Sequence, residues 1–342
     1  MNITTIGLDI AKSIFQVHCV DERGATVMQR KLRRAQVEGF FQRLPPTLVG
    51  IEACGSAHYW ARRLSAMGHE VRLMPPQYVK PYVKRNKTDA RDAEAICEAV
   101  TRPSMRFVPI KSEAAQAARG LHRARDLLVR QRSQITNNMR GLLAEFGIVA
   151  AAGQAGVARL RKALTEDEIT VPEPLRGALL ALAQHWEAHD AAVAELDRRI
   201  LAEARTCDVA RRLMAVPGVG PVTAHALVAG MPAPSTFRSG RDFAAWLGLT
   251  PRQNSSAERV RSGKVSRAGD GGLRRLLVLG AASLLRQIRM GRGDKAALHR
   301  LEALLARRPA KVAIVAQAAR TARIVWAMLA KNTAYRAAPI AA

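Results

Sequence analysis

Apolar residues in the first hundred positions come in short runs that end on polar or turn-forming residues. Residues 3–9, 15–20 and 25–31 read as three strands, the last two joined by the turn Asp21-Glu-Arg-Gly24. A helix is expected over 35–44, stopped by Pro45-Pro46, and a fourth strand over 48–52. Ser56 is placed to cap the next helix, whose Tyr59, Trp60, Leu64 and Met67 share one face, and Gly68 to end it. Residues 71–74 form a fifth strand, closed by Pro75-Pro76.

Further along, the period lengthens. Leu121, Ala124, Leu128, Gln131, Ile135, Asn138 and Leu142 recur at spacings of three and four, as do Leu175, Leu179, Leu182, Trp186, His189, Val193, Leu196 and Ile200. A 3.5-residue period predicts two coiled-coil seams. They could close as an antiparallel hairpin within the chain, but we expect them to pair protomers. His189 falls on the second seam as a core or register-setting residue. Residues 146–174 read as a connection with one short helix at 158–164. A helix over 209–215, the turn Val216-Pro-Gly-Val-Gly220 and a helix from Pro221 resemble a helix-hairpin-helix element. There Gly218 and Gly220 would let backbone N–H groups approach a DNA phosphate. A helix ending near Leu247 leads to a long polar loop over 249–272, and helices at 273–290, 294–307 and 311–331 finish the chain. The fold class is α/β followed by α, in three regions: 1–112, a helical 113–205, and a mostly helical 206–342.

Charge narrows the class of partner. Lys and Arg number 54 against 28 Asp and Glu, a net +26, the footprint of a phosphate-backbone ligand. Arg119, Arg123, Arg125, Arg130, Arg132 and Arg140 line the outward side of the first heptad segment, either tracking phosphates or forming a solvated face. The four cysteines are scattered singly, which argues against a zinc site and fits reduced thiols in a cytoplasm. No apolar stretch approaches the ~20 residues of a spanning helix, and the N-terminus lacks a signal-peptide pattern, so no membrane partner is expected.

Four carboxylates carry the chemistry. Asp9 and Glu52 end strands one and four, and Asp89 and Asp92 sit three apart in Lys87-Thr-Asp-Ala-Arg-Asp92. Acids are disfavoured at strand ends and costly to bury unpaired, so this pattern suggests a cluster for Mg²⁺ or Mn²⁺ acting on a phosphodiester. The order β-β-β-α-β-α-β with acids on strands one and four is that of a ribonuclease H-like domain. Those two strands would lie side by side, with the helix acids closing the site. In the polar loop, four serines are interleaved with Arg252, Arg259, Arg261, Lys264 and Arg267. It either binds phosphate or presents a serine that attacks it while the cations neutralise developing charge.

Ordered motifs tie these features together: Gly7-Leu-Asp-Ile-Ala-Lys12, Gly50-Ile-Glu-Ala-Cys-Gly55, Lys87-Thr-Asp-Ala-Arg-Asp-Ala93, Pro217-Gly-Val-Gly220, Leu249-Thr-Pro-Arg-Gln-Asn-Ser-Ser256, Ser266-Arg-Ala-Gly-Asp270 and Leu273-Arg-Arg-Leu-Leu277. Together they resemble transposases of the insertion-sequence 110 family, with a loop like that of its 1111 subgroup, over almost the whole chain. The resemblance implies a RuvC-like domain whose tetrad maps onto Asp9, Glu52, Asp89 and Asp92. It implies a C-terminal transposase domain with its nucleophile at Ser256, beside Ser255. It also implies a bacterial, cytoplasmic, nucleoid-associated homo-oligomer (dimer or tetramer) that recombines donor and target DNA under a structured guide RNA. One departure is that Ala257-Glu258-Arg259 follows the serines where the family commonly has Gly-Gly-Lys. The alternatives are a junction-resolving nuclease that uses water, with Ser256 only contacting phosphate, and a non-catalytic nucleic-acid-binding protein.

Overall fold

All five apolar runs of the N-terminal region form strands: β1 (Thr5–Ile10), β2 (Ile14–Val20), β3 (Thr26–Arg33), β4 (Leu48–Glu52) and β5 (Glu70–Met74). In the computed structural model, which describes residues 2–84, 88–149, 154–166, 170–254, 261–292 and 295–336, they make one sheet in the order β3-β2-β1-β4-β5. The chain divides into two compact units, Met1–Ala114 and Ala115–Ala342. β1, β2 and β3 pair antiparallel, whereas β1–β4 and β4–β5 are parallel. Strands one and four are neighbours, as expected, because the crossover helix between them returns the chain beside β1. That crossover is shorter than its pattern suggested: only α1 (Val37–Phe41) is α-helical, after a 3₁₀ turn at Arg34–Gln36.

Helices cover the sheet. α2 (Ala57–Ala66) buries Trp60 and Leu64 against Phe15 and Ile51. Ser56 occupies its N-cap position but makes no capping bond, and its φ of 64° is left-handed, so its hydroxyl does not do what the sequence suggested. A single turn, α3 (Pro76–Val79), precedes α4 (Asp89–Val100). α4 lies on the sheet through two glycines that are register partners, Gly7 of β1 and Gly50 of β4. A Cβ at Gly7 would collide with the Ala93 carbonyl and stand 2.5 Å from the Cys97 nitrogen, and one at Gly50 would stand 2.8 Å from Val100 Cβ.

The second unit is helical. α5 (Glu113–Ala144), α6 (Gln154–Thr165) and α7 (Glu173–Thr206) come first. We expected the two heptad seams to join protomers; here they meet within the chain as an antiparallel hairpin. Trp186 Nε1 donates to Thr136 Oγ1 at 2.9 Å, Arg125 Nη2 to Asp197 at 3.1 Å, and Arg132 pairs with Asp190. His189 lies on the seam, its Nε2 3.2 Å from Gln131 Oε1. Asn138 is exposed, and Met139 and Leu143 take the buried place, because a helix nearer 3.6 residues per turn rotates a strict heptad off the seam.

α8 (Asp208–Met214), α9 (Pro221–Gly230), α10 (Gly240–Trp246), α11 (Gly271–Arg289), α12 (Lys295–Leu305) and α13 (Ala310–Lys331) follow. The main core joins Leu213, Leu227, Phe243, Leu277, Ala322 and Val325 from five of them. By length and composition α13 could cross a membrane, contrary to the sequence reading; it buries Ala318, Ala322, Val325 and Met328 in this core. The loop over 249–272 is more regular than expected, its arms pairing as a ribbon of β6 (Pro251–Gln253) and β7 (Ser262–Val265).

Because α4 touches bare backbone at Gly7, Gly7→Ala should cost roughly 1–3 kcal/mol or more by overpacking. Gly55→Ala, where a Cβ meets nothing within 4 Å, should cost far less. Urea unfolding of both variants measures the difference, and equal midpoints would remove the close helix seat as a constraint.

Candidate active site

β1 delivers Asp9 to the sheet end, and α4 begins there. Thr88 caps α4 by accepting the Arg91 N–H at 3.4 Å, which places Asp89 and Asp92 in the first turn, where the helix dipole favours carboxylates. Oxygens of Asp9, Asp89 and Asp92 all lie within 4.8 Å of one another. Glu52 stands outside that trio, yet it acts on Asp9. Burial, then the charges of Asp92, Asp89 and Glu52, push the Asp9 pKa up to about 6. Like charges gathered this closely are unfavourable. An all-oxygen donor set of this kind fits a hard divalent cation, with Asp9, Asp89 and Asp92 as its holders.

The expected nucleophile Ser256, with Ser255 and Arg259, lies outside the described residues. What can be seen is how the ribbon that carries them is held. Asn254 N–H donates to the Arg261 carbonyl at 3.0 Å, and Ser266 N–H to Thr250 at 2.9 Å. At its base, Gly248 (φ 68°) and Gly269 (φ 65°) let the returning strand pass against the end of α10; a Cβ at Gly269 would collide with the Trp246 carbonyl. Arg274 fastens both stems, donating to Leu247 O at 2.9 Å and Ala268 O at 2.6 Å. Arg252 and Lys264 on the ribbon and Arg267 beside it are exposed. The role of Arg274 was invisible in sequence, where it is one basic residue among many.

The basic face of α5 divides. Arg119 pairs with Asp270 at 2.7 Å, and Arg125 and Arg132 with carboxylates of α7, so these three brace the second unit. Arg123 and Arg130 are exposed, and Arg140 is partly buried. Asp270 also caps α11, accepting from Gly272 and Leu273 N–H at 2.9 and 3.0 Å. Burial would raise its pKa, but the Leu273 N–H, Arg119 and the Gly272 N–H together hold it below the usual value. Gly218 (φ 84°) packs against Gly280 of α11, whereas Gly220 is exposed at the start of α9.

An acid cluster where β1 meets the start of α4, in a chain of net charge +26, fits the class of metal-dependent proteins that act on nucleic acid. Comparison with known proteins narrows it. A DEDD-type transposase domain matches residues 6–148, and the Transposase IS116/IS110/IS902 family matches residues 210–295. A probable family 20 transposase of Pseudomonas aeruginosa is 48% identical over 98% of this chain and 99% of its own length. The transposase for insertion sequence element IS1328 of Yersinia enterocolitica is 38% identical over 98% and 99%. That for IS1111A of Coxiella burnetii is 37% identical over 98% and 92%. The chain belongs to the IS116/IS110/IS902 family of transposases, DNA-cleaving and rejoining enzymes.

The Asp9 shift has a signed consequence in metal-free protein. A carboxyl whose folded pKa is raised keeps its proton in the folded chain after the unfolded chain has lost it, so stability falls as pH rises from about 4 to about 6. Asp9→Asn should therefore leave the melting temperature unchanged near pH 4 and raise it at pH 7. A variant no more stable than wild type at pH 7 in chelator would contradict the raised Asp9 pKa.

Proposed function

We propose that this transposase recombines DNA through an acidic tetrad and a serine nucleophile, directed by a structured guide RNA. The observation that carries the reading is the convergence of Asp9, Asp89 and Asp92 within 4.8 Å, with Glu52 acting on Asp9. The sheet order β3-β2-β1-β4-β5 supports an RNase H-like, RuvC-like domain over 1–112. Region 113–205, closed as a hairpin within the chain, connects the acidic domain to region 206–342, which serves the strand transfer.

Mg²⁺ or Mn²⁺ bound by the tetrad would polarise the scissile phosphate and offset its charge. Ser256 Oγ bonds to phosphorus as the bond to the departing DNA oxygen breaks; the serine proton leaves and the released strand end takes one up. Arg252, Arg259, Lys264 and Arg267 neutralise charge at the phosphorane. Attack by a hydroxyl of the exchanging strand then reverses the chemistry, so each phosphodiester bond is conserved. The net charge of +26 supports donor and target DNA and RNA as joint ligands, reached by Arg123, Arg130 and the N-terminus of α9 at Gly220.

Reversing Arg123 and Arg130 to Glu should weaken nucleic-acid binding and shallow its salt slope by about one per removed phosphate contact, without lowering the melting temperature. Reversing Arg125 and Arg132 should lower the melting temperature, because both hold α7. Filter binding across a salt series with parallel thermal melts separates the two; an unchanged slope in the first pair makes it a solvated face.

Ser256→Ala should bind nucleic acid normally yet form no covalent protein–DNA adduct, whereas Ser255→Ala keeps at least partial activity and Asp9→Ala loses both adduct and cleavage. Denaturing electrophoresis of labelled DNA, with and without protease, reads the result. Normal cleavage with no adduct in any version would instead identify a water-using, junction-resolving nuclease.

A further inference from the structure

Gln16 stands directly opposite Asp9 in the antiparallel β1–β2 pair, so the two side chains leave the sheet on the same face. α4 covers that face: Gly7 lies beneath Ala93 and Cys97, and Glu94 acts on the His18 ring. Opposed Cβ atoms in such a pair are about 5 Å apart, which puts the Gln16 amide within reach of whatever the Asp9 carboxylate holds. Gln16 is only 6% exposed, its Oε1 is buried, and no donor among the described residues reaches that oxygen. Its neighbour on the same face is different. His18 is 4% exposed, and its ring nitrogens lie 3.2 Å from Gln29 Nε2 and 3.5 Å from Thr26 Oγ1.

Buried polar side chains in folded proteins are partnered with few exceptions, and each exception calls for a reason. Packing does not supply one, since a leucine of similar volume would fill the place without burying an amide. Proximity to the acids does. Mg²⁺ and Mn²⁺ prefer about six oxygen ligands, more than three carboxylates supply singly. A further carboxylate would deepen the repulsion already acting on Asp9, whereas an amide adds an oxygen without a charge.

We propose that Gln16 belongs to the acidic centre, its Oε1 serving as a neutral oxygen donor toward the divalent cation, directly or through one water of the cation's shell. The inference rests on the metal-centre reading above, and its test is built to fail separately from it. The full-length chain is titrated with Mn²⁺, and free Mn²⁺ is followed by electron paramagnetic resonance. Gln16→Met, close in shape but without the oxygen, should raise the Kd about tenfold or more, the loss seen when partners around a metal are removed. In chelator its melting temperature should equal or exceed that of wild type, because a buried carbonyl without a donor is gone. Gln16→Glu, which keeps the oxygen, should bind Mn²⁺ at least as tightly as wild type at pH 8. If Gln16→Met does not fold, Gln16→Asn, which draws the oxygen back by one methylene, must show the same loss. Wild-type Mn²⁺ affinity in Gln16→Met or Gln16→Asn, alongside weakened binding in Asp9→Asn, would overturn the role of Gln16 and leave the centre standing. Wild-type affinity in Asp9→Asn would remove the centre and this inference with it.

Discussion

Helix α4 rests on the sheet over two glycines, its backbone against Gly7 and its Val100 and Ile96 side chains against Gly50, and the geometry of the acidic centre follows from that contact. Ordinary side chains at both positions would hold the helix farther from the sheet. At Gly7 it descends until the Ala93 carbonyl and the Cys97 nitrogen occupy the space of a missing Cβ, and at Gly50 Val100 does the same. The first turn of α4 then meets the end of β1, and Asp89 and Asp92 reach Asp9. One glycine lies two residues before Asp9 and the other two before Glu52, so each strand carries both the seat of the helix and an acid for the site.

Burial, and then the crowded carboxylates, raise the Asp9 carboxyl, so its ionised form is unfavourable in the folded chain without a cation. The first unit tolerates it because the sheet core around Ile6, Leu8, Phe15, Ile51 and Trp60 is continuous beneath the site. This separation of a packed scaffold from a strained centre is the usual condition for functional pre-organisation. The second unit solves a different problem: anchoring a polar ribbon with little apolar surface of its own. Arg274 gathers two carbonyls at its base, and Asp270 caps α11 while accepting from Arg119. These charge-assisted bonds run from side chains to helix ends, loop carbonyls and one another, and do not depend on apolar contact.

Much of the fold was legible because period and punctuation are local properties. The five strands, the long helices and the acids at strand ends followed from alternation, prolines and the cost of placing a carboxylate at a strand end. The helix over 35–44 shrank to one short helix after a 3₁₀ turn, and the ribbon arms were missed because Ser262-Gly-Lys-Val265 has little strand propensity. Ser56 was read correctly as a helix start and wrongly as a capping hydroxyl, since its left-handed backbone turns the side chain away from that role.

The sequence by itself determined the α/β-then-helical order, the basic character of the chain and the four acids, because each depends on residue type and spacing within a few turns. Tertiary structure decided which charges face one another. Arginines on one helix face look alike in sequence, yet Arg125 and Arg132 meet aspartates of α7 while Arg123 and Arg130 stay exposed. Whether the heptad seams close within the chain is likewise a question of partner geometry, answered by matched pairs such as Thr136 with Trp186. Gln16 is the sharpest case. In the sequence it is a polar residue inside an apolar strand, and only strand register sets it opposite Asp9. Contacts between residues far apart in the chain are fixed by packing, which no local pattern of residue types encodes.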